Sequence, residues 1–340
     1  MCTALTLQTS YNENFIGRNM DFSHDIKPGI YIMPENYQWY DSYTKKEYFN
    51  TYSFIGIGQK TEGILGFFDG VNERGFAAAA LYFAGYANYD IDFDTAKKEP
   101  ISSLDFLHFL LGKCRSVKDI YLLLEDVCIV GSPDPVTKTA APLHWIATDR
   151  TGECVVVEQT KNGLEVFSNP IGVMANSPDF KWHMTNLKNY LEISSTQNEE
   201  AFWRNVKLTP FGQGGGTALL PGSFTSPDRF VRTAFLKTHS LIPNNRVEAI
   251  MTFFHIIGNV SIPKGTILTS RSTYDYTIYT AFIDTNTCEY FFKTHDNIQI
   301  AVAGLRDTYR HNSQPIFLGY LNRPVRFENF NYFKEDIYGK

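Results

Sequence analysis

Met1-Cys2-Thr3-Ala4-Leu5-Thr6-Leu7-Gln8 opens the chain, and Asn14-Phe15-Ile16-Gly17-Arg18-Asn19-Met20 follows it across Ser10-Tyr11-Asn12-Glu13. Two extended runs joined by a short polar turn read as a β-hairpin. That hairpin returns the end of its second strand to the chain start, so Arg18 and Asp21 become neighbours of Cys2. Initiator methionine is usually excised ahead of a side chain as small as cysteine. Its loss leaves a first residue carrying both a thiol and a free α-amine, and a terminal amine can act as base for its own side chain. An isolated cysteine is more often a small packing residue, so the rest of the chain has to discriminate.

Outward from the hairpin, strands are expected near Ile30–Met33 and Tyr52–Ile57, then from Ile64 to Asp69 and, past a turn at Gly70-Val71-Asn72-Glu73-Arg74-Gly75, from Phe76 to Phe83. Ala77 to Ala80 suit a strand approached closely by another layer, although four alanines also suit a helix. Ser102 with Asp105, and Ser116 with Asp119, have capping-box spacing. Leu104, Leu107, His108 and Leu111 share one face of the first helix, and Val117, Ile120, Tyr121, Leu124, Val127 and Cys128 make the apolar stripe of the second. Strands return at Leu143–Ala147, Cys154–Gln159 and Leu164–Phe167. Residues 178–193 read as helical, Ser194 to Glu200 as an exposed loop, and further helices start near Pro227 and Val247. Strands near Tyr276–Ile283, Glu289–Lys293 and Ile298–Val302 close the pattern. Hairpins imply antiparallel pairing. The order of elements therefore predicts an α+β fold of stacked sheets with helices outside them. One domain over residues 1–340 is expected, with the polar, aromatic tail after about residue 304 left unassigned.

The net charge of −5 and the lack of a lysine/arginine stripe give no signal for nucleic acid. No apolar run reaches membrane-span length, and the start lacks the basic and apolar segments of a secretion signal. Cys2, Cys114, Cys128, Cys154 and Cys288 are odd in number, widely spaced and without a Cys-x-x-Cys pair. Neither a disulfide framework nor a zinc site is indicated, and a reducing cytoplasm fits best. The eight histidines show no metal spacing, and His108 and His255 read as core histidines on helices. No metal or organic cofactor is expected. Gly212-Gln213-Gly214-Gly215-Gly216 lacks the Lys-Ser/Thr of a phosphate loop and reads as a turning loop. No Gly-x-Ser-x-Gly elbow occurs. Ser226-Pro227-Asp228 has the form of a helix start, which puts Arg229 in a first turn where the dipole disfavours positive charge. Either it is a solvated arginine, or an anion or thiolate offsets that cost.

Taken together, Met1-Cys2-Thr3, Gly17-Arg18-Asn19-Met20-Asp21, Gly70-Val71-Asn72-Glu73-Arg74-Gly75, Leu143-His144-Trp145, Val157-Glu158-Gln159-Thr160, Asn176-Ser177-Pro178 and Leu220-Pro221-Gly222 leading to Ser226-Pro227-Asp228-Arg229-Phe230 carry a family resemblance. The chain resembles the choloylglycine hydrolase family of N-terminal-nucleophile hydrolases, which contains bile salt hydrolases and penicillin V acylases, from Met1 to roughly residue 303. The resemblance implies a four-layer αββα sandwich, with Cys2 exposed by loss of Met1. It implies Cys2 as nucleophile with its α-amine as proton acceptor, Asp21 holding that amine and Arg18 against the sulfur. Asn176 would give a side-chain N–H to the oxyanion, the backbone N–H of Tyr82 would be the second donor, and Arg229 would complete the polar shell. Met20, Phe68 and Tyr82 would touch substrate. A homotetramer is implied as well.

Tyr82 stands where bile salt hydrolases usually carry asparagine, and tyrosine is what similar penicillin V acylases carry. An aromatic wall there suits a phenoxyacetyl group, or it simply packs in the core. On that ground a cysteine-dependent hydrolase of linear amides is expected, with penicillin V narrowly ahead of glycine- and taurine-conjugated bile salts. An acylase of acyl-homoserine lactones and a non-catalytic binder of amphipathic molecules stay open.

Overall fold

The computed structural model describes residues 1–89, 98–197, 199–306 and 312–328. β1 (Cys2–Gln8) and β2 (Asn14–Phe22) form the expected hairpin, in a register that sets Cys2 opposite Met20 and Ala4 opposite Arg18. β3 (Gly29–Met33) precedes a small hairpin of β4 (Gln38–Tyr40) and β5 (Glu47–Phe49), which gave no clear pattern in sequence. β6 (Phe54–Thr61), β7 (Ile64–Asn72) and β8 (Ala77–Tyr82) follow as a meander. The alanine run is strand: Ala77 to Ala80 are all buried, because β8 lies mid-sheet between β7 and β11. The turn before it is tighter than expected. Asn72 stays in β7, its side-chain oxygen accepts the N–H groups of Arg74 and Phe76, and Gly75 takes φ +81°.

Next come β9 (Glu99–Ser102), α1 (Phe106–Lys113), α2 (Val117–Asp126) and β10 (Val127–Val130). Here two expectations are corrected. Ser102 ends a strand paired in parallel with β10, so no capping box forms at Ser102, and Asp105 caps α1 by position while its carboxylate accepts the Ser42 N–H. Val127 and Cys128 leave the helical stripe because the β-branched run Val-Cys-Ile-Val pairs with β9, and Tyr121 faces solvent. The Ser116/Asp119 box does form.

β11 (Leu143–Thr148), β12 (Cys154–Thr160) and β13 (Gly163–Ser168) match expectation, and β14 (Val173–Met174) is a short addition. α3 (Phe180–Asn186) is shorter than residues 178–193, passing into a 3₁₀ turn through Tyr190. β15 (Ala201–Trp203) and β16 (Val206–Leu208) form an exposed hairpin. α4 (Ser226–His239) begins one residue earlier than expected, with Thr225 at the N-cap, and α5 (Arg246–Gly258) leaves His255 exposed, not in the core. β17 (Tyr276–Asp284) and β18 (Glu289–Thr294) are as expected, whereas the last strand of that sheet is β19 (Ala301–Gly304). From the unassigned tail, β20 (Ile316–Tyr320) pairs with β3.

The strands make a six-stranded sheet, β14-β1-β2-β17-β18-β19, and an eight-stranded sheet, β13-β12-β11-β8-β7-β6-β3-β20. Ala4, Met20 and Tyr279 of the first share one buried cluster with Ile55, Val71 and Leu81 of the second, and with Phe230 of α4 and Phe253 of α5. The other face of the second sheet packs Ala78, Trp145 and Val157 against Phe106, Leu110 and Ile120 of α1 and α2. The layers are thus helix, sheet, sheet, helix, the αββα sandwich expected. Among the described residues no helix is long and apolar enough to cross a membrane.

Candidate active site

Side chains alternate across a strand, so Cys2 and Ala4 on β1 share a face with Met20 and Arg18 on β2. That face looks onto the second sheet, and it buries Arg18 to 1% exposure. Arg18 is held by every N–H it has. Nε donates to the Asn19 carbonyl, Nη1 to the carbonyls of Phe68 (3.2 Å) and Ala80 (3.0 Å), and Nη2 to Cys2 Sγ (2.7 Å) and Met20 Sδ (3.0 Å). Behind it, Asp69 lies 3.7 Å from Nη1 and accepts the hydroxyls of Tyr279 (2.6 Å) and Tyr290 (3.0 Å). Burial works to strip the guanidinium of its proton, but the Cys2 sulfur, Tyr279, Asp69 and Asp21 outweigh it and leave Arg18 more basic than usual.

Asp21 is fully buried. Its backbone N–H donates to the Met1 carbonyl, its Oδ1 accepts Thr277 Oγ1 (2.5 Å), and its Oδ2 has no partner. Burial pushes its carboxyl above the usual range, against the pull of Arg229 and the chain's α-ammonium. Met1 precedes Cys2 here, and its ammonium donates to the Asp21 carbonyl (2.8 Å) and pairs with Asp275 (3.3 Å). The Cys2 nitrogen is therefore a peptide N–H, and it donates to Asn176 Oδ1 (2.7 Å).

Asn176 meets the Cys2 backbone from the loop between β14 and α3. Its oxygen accepts from Cys2 N and from Arg229 Nη2 (2.7 Å), which fixes the amide orientation. One Nδ2 hydrogen goes to the Tyr82 carbonyl (2.7 Å), and the second is the one an incoming oxyanion can take. In a strand the N–H and C=O of one residue point to the same side. Phe83 N–H bonds across to Pro142, and pairing with β7 ends at Ala79. The Tyr82 N–H thus points to the side of Asn176, beyond the reach of the β7 ladder.

Arg229, also buried, does not touch the thiol. It donates to the Cys2 carbonyl, Thr3 Oγ1, Asn176 Oδ1 and the Phe224 carbonyl, so neutral oxygens offset its place in the first turn of α4. Burial pushes its pKa down, opposed by Asp21, Cys2 and Asp275. Met20, Phe68 and Tyr82 line an apolar cleft of about 100 Å³ whose floor is Cys2, with Phe22, Ile26, Ile64 and Leu143 nearby. Two roomier clefts, of about 750 and 1100 Å³, contain none of these groups. All six expected site residues come together. Asp69, Asp275 and Thr277 were missed, although a lone aspartate inside the apolar run 64–72 was a usable signal.

A thiol against a fixed arginine, with an asparagine amide bonded to the same residue's nitrogen on an αββα frame, is an arrangement that fits a cysteine amidohydrolase. The chain matches the model of the linear amide C–N hydrolases, choloylglycine hydrolase family, over residues 2–316, and it belongs to that family. It is 36% identical over 301 residues to the bile salt hydrolase/transferase of Clostridium perfringens (strain 13 / Type A), across 88% of this chain and 91% of that protein. The crystal structure of the C2A mutant of conjugated bile acid hydrolase from Clostridium perfringens superposes with a TM-score of 0.90 at 33% identity, over 97% of this chain and 100% of that one. The penicillin V acylase of Pectobacterium atrosepticum is 27% identical over 318 residues, 86% of this chain and 78% of that protein. The protein is an amide C–N hydrolase with the N-terminal-nucleophile fold. The narrow lead given to penicillin V rests largely on Tyr82 and finds no specific support in these similarities, which favour the bile salt relatives.

Proposed function

We propose that the protein deconjugates glycine- and taurine-linked bile salts through an acyl-enzyme on Cys2. The observation that carries the reaction is Cys2 Sγ at 2.7 Å from Arg18 Nη2, on the floor of an apolar cleft. The substrate class is supported by the greater similarity to the bile salt relative. Ligand pockets commonly hold about 300–1,000 Å³, so a steroid overfills this cleft and extends along its open mouth.

Loss of Met1 turns the Cys2 nitrogen into an amine, and the unpartnered Asp21 Oδ2 then has an ammonium to hold. The amine takes the thiol proton, and the sulfur, kept beside Arg18, attacks the amide carbonyl. The developing oxyanion draws on the free Asn176 Nδ2 hydrogen and the Tyr82 N–H, each such donor being worth roughly 3–4 kcal/mol. Collapse breaks the C–N bond, the leaving amine carries off the proton, and water then cleaves the thioester to release the acid and restore the thiol. A homotetramer is carried over from the family resemblance, and the exposed hairpin β15–β16, with Phe202 and Trp203 in solvent, offers apolar surface for such assembly. Five free cysteines support a reducing, cytoplasmic setting.

The test compares glycocholate, taurocholate, penicillin V and an acyl-homoserine lactone side by side, with Cys2→Ala and a mass measurement of the amino terminus. Bile salts should show the highest kcat/KM, and Cys2→Ala should melt as the parent does and turn nothing over. A preference for penicillin V overturns the substrate assignment. Undiminished turnover by Cys2→Ala overturns the mechanism, and binding without any acyl-Cys2 makes the protein a binder.

A further inference from the structure

Two of the landmarks, His144 and Glu158, have no part in the chemistry above, yet both are buried to 1% exposure. His144 sits on β11 opposite Leu81 of β8, one residue before Tyr82, and its ring stacks on Phe83 at 4.2 Å with planes 9° apart. Its Nδ1 lies 3.0 Å from Glu158 Oε1, and its Nε2 lies 2.9 Å from the carbonyl of Ala175, the residue before Asn176. A carbonyl only accepts, so Nε2 carries a hydrogen and donates it. Glu158 also accepts the Phe180 N–H at the start of α3. The pair therefore touches the supports of both oxyanion donors, the strand of Tyr82 on one side and the loop of Asn176 on the other.

The other bonds to the Asn176 peptide run elsewhere. Its N–H donates to Ser226 Oγ (2.9 Å) on α4, and its carbonyl accepts from His183 Nε2 (2.8 Å) on α3. Burial pushes His183 down to about 4, which keeps it a neutral donor. These two bonds tie the loop to the helical layer. Among the described residues, the side-chain ties toward Tyr82 and the turn after it are Asn176 Nδ2 itself, the exposed Ser177 Oγ bond to Ala84 and, by way of β11, the buried bond of His144 to Ala175.

We infer that His144, held by Glu158, is a positioning residue for the reaction: it locks the Ala175–Asn176 backbone to the Tyr82 strand and so sets the spacing of the two oxyanion donors. This rests on the reading of Asn176 and Tyr82 in the proposed function. A misplacement of about 1 Å far from the reacting atoms can slow an enzyme about 10²-fold, which makes the role measurable.

The test separates the two ends of the imidazole. His144→Gln places an amide nitrogen near the Nε2 position and can keep the bond to Ala175, whereas His144→Asn reaches only the Glu158 side. His144→Asn should lower kcat about 10²-fold, the scale of a lost oxyanion donor, with KM and the rate of Cys2 alkylation by iodoacetamide held near the parent values. His144→Gln should recover most of the loss. Parent-like kcat in His144→Asn, or equal impairment in both variants, overturns the inference. Should His144→Asn fail to fold, the near-isosteric Glu158→Gln takes its place: slowed turnover with unchanged alkylation upholds the role, and unchanged turnover removes it. Activity surviving in Cys2→Ala would instead undo the proposed function itself, so the two failures are distinguishable.

Discussion

Asn176 has two ends with different work, and Asn176→Asp pulls them apart. The substitution keeps Oδ1, which accepts from Cys2 N and from Arg229 Nη2, both at 2.7 Å. It replaces Nδ2, the donor now bonded to the Tyr82 carbonyl at 2.7 Å, with an oxygen that can only accept. The two bonds to Oδ1 should survive, with the new charge beside the buried Arg229, while the Tyr82 carbonyl loses its donor at about 1–3 kcal/mol. The oxyanion should not be stabilised, because a donor is gone and negative charge now faces the place where negative charge develops. Removing one oxyanion donor lowers kcat by about 10²–10³, or about 3–4 kcal/mol, and the added repulsion puts Asn176→Asp at or beyond the upper end. Asn176→Ala provides the contrast. It leaves the Cys2 N–H and one Arg229 N–H buried without a partner, at about 1–3 kcal/mol each, so it should lose melting temperature as well as rate. The assay is amino-acid release from glycocholate under saturating substrate, beside thermal melts of both variants. An Asn176→Asp enzyme within about threefold of the parent kcat would falsify the assignment of Nδ2 to the oxyanion.

Acid should destabilise the protein through its buried histidines. Burial drops His108, packed between Trp39, Phe54 and Phe67, to about 3, and His183 to about 4. The unfolded chain binds these protons first, so stability present above the unfolded value of 6.5 is lost as pH falls, about 2 kcal/mol per residue at pH 5. Burial raises Asp105 to about 6, and its sign is opposite: the folded carboxyl takes its proton first, returning about 1 kcal/mol at pH 5. The raised Asp21 and Asp69 carboxyls act in the same sense as Asp105, so the clean readout is the single variant: His108→Phe should reduce the stability lost between pH 7 and pH 5 in denaturant melts by about 2 kcal/mol; an unchanged loss contradicts the assignment. Gly17→Ala should cost about 1–3 kcal/mol of stability by overpacking, because the added methyl would overlap the Phe253 ring and the Ala281 carbonyl. Melting of Gly17→Ala at the parent temperature would show that α5 yields at that point.

What the sequence discloses follows from how local each feature is. The β1–β2 hairpin is set by alternation and a polar turn, and the same register that makes it carries Arg18 and Asp21 to Cys2, so the heart of the site is legible with the fold. Ser116 with Asp119 is equally local and forms as expected, whereas Ser102 with Asp105 has the same spacing and fails. The difference lies in β10, where Val130 pairs with Ser102 and holds it in a strand, and local spacing carries no trace of it. β20 is hidden for a similar reason: its partner β3 lies near the other end of the chain. The acyl specificity is the least local property of all. Cys2 and Met20, Phe68, Tyr82, and Leu143 reach the cleft from β1, β2, β7, β8 and β11, elements of both sheets. Reading one of them, Tyr82, as the deciding wall gave undue weight to penicillin V, because a wall's meaning depends on what stands opposite it. The Tyr82 backbone donor, by contrast, needs only the strand it lies on. The clustering of Arg18 and Asp21 about Cys2 thus follows from strand register and is legible in one chain, whereas the walls of the cleft come from strands of both sheets, whose approach no local pattern encodes.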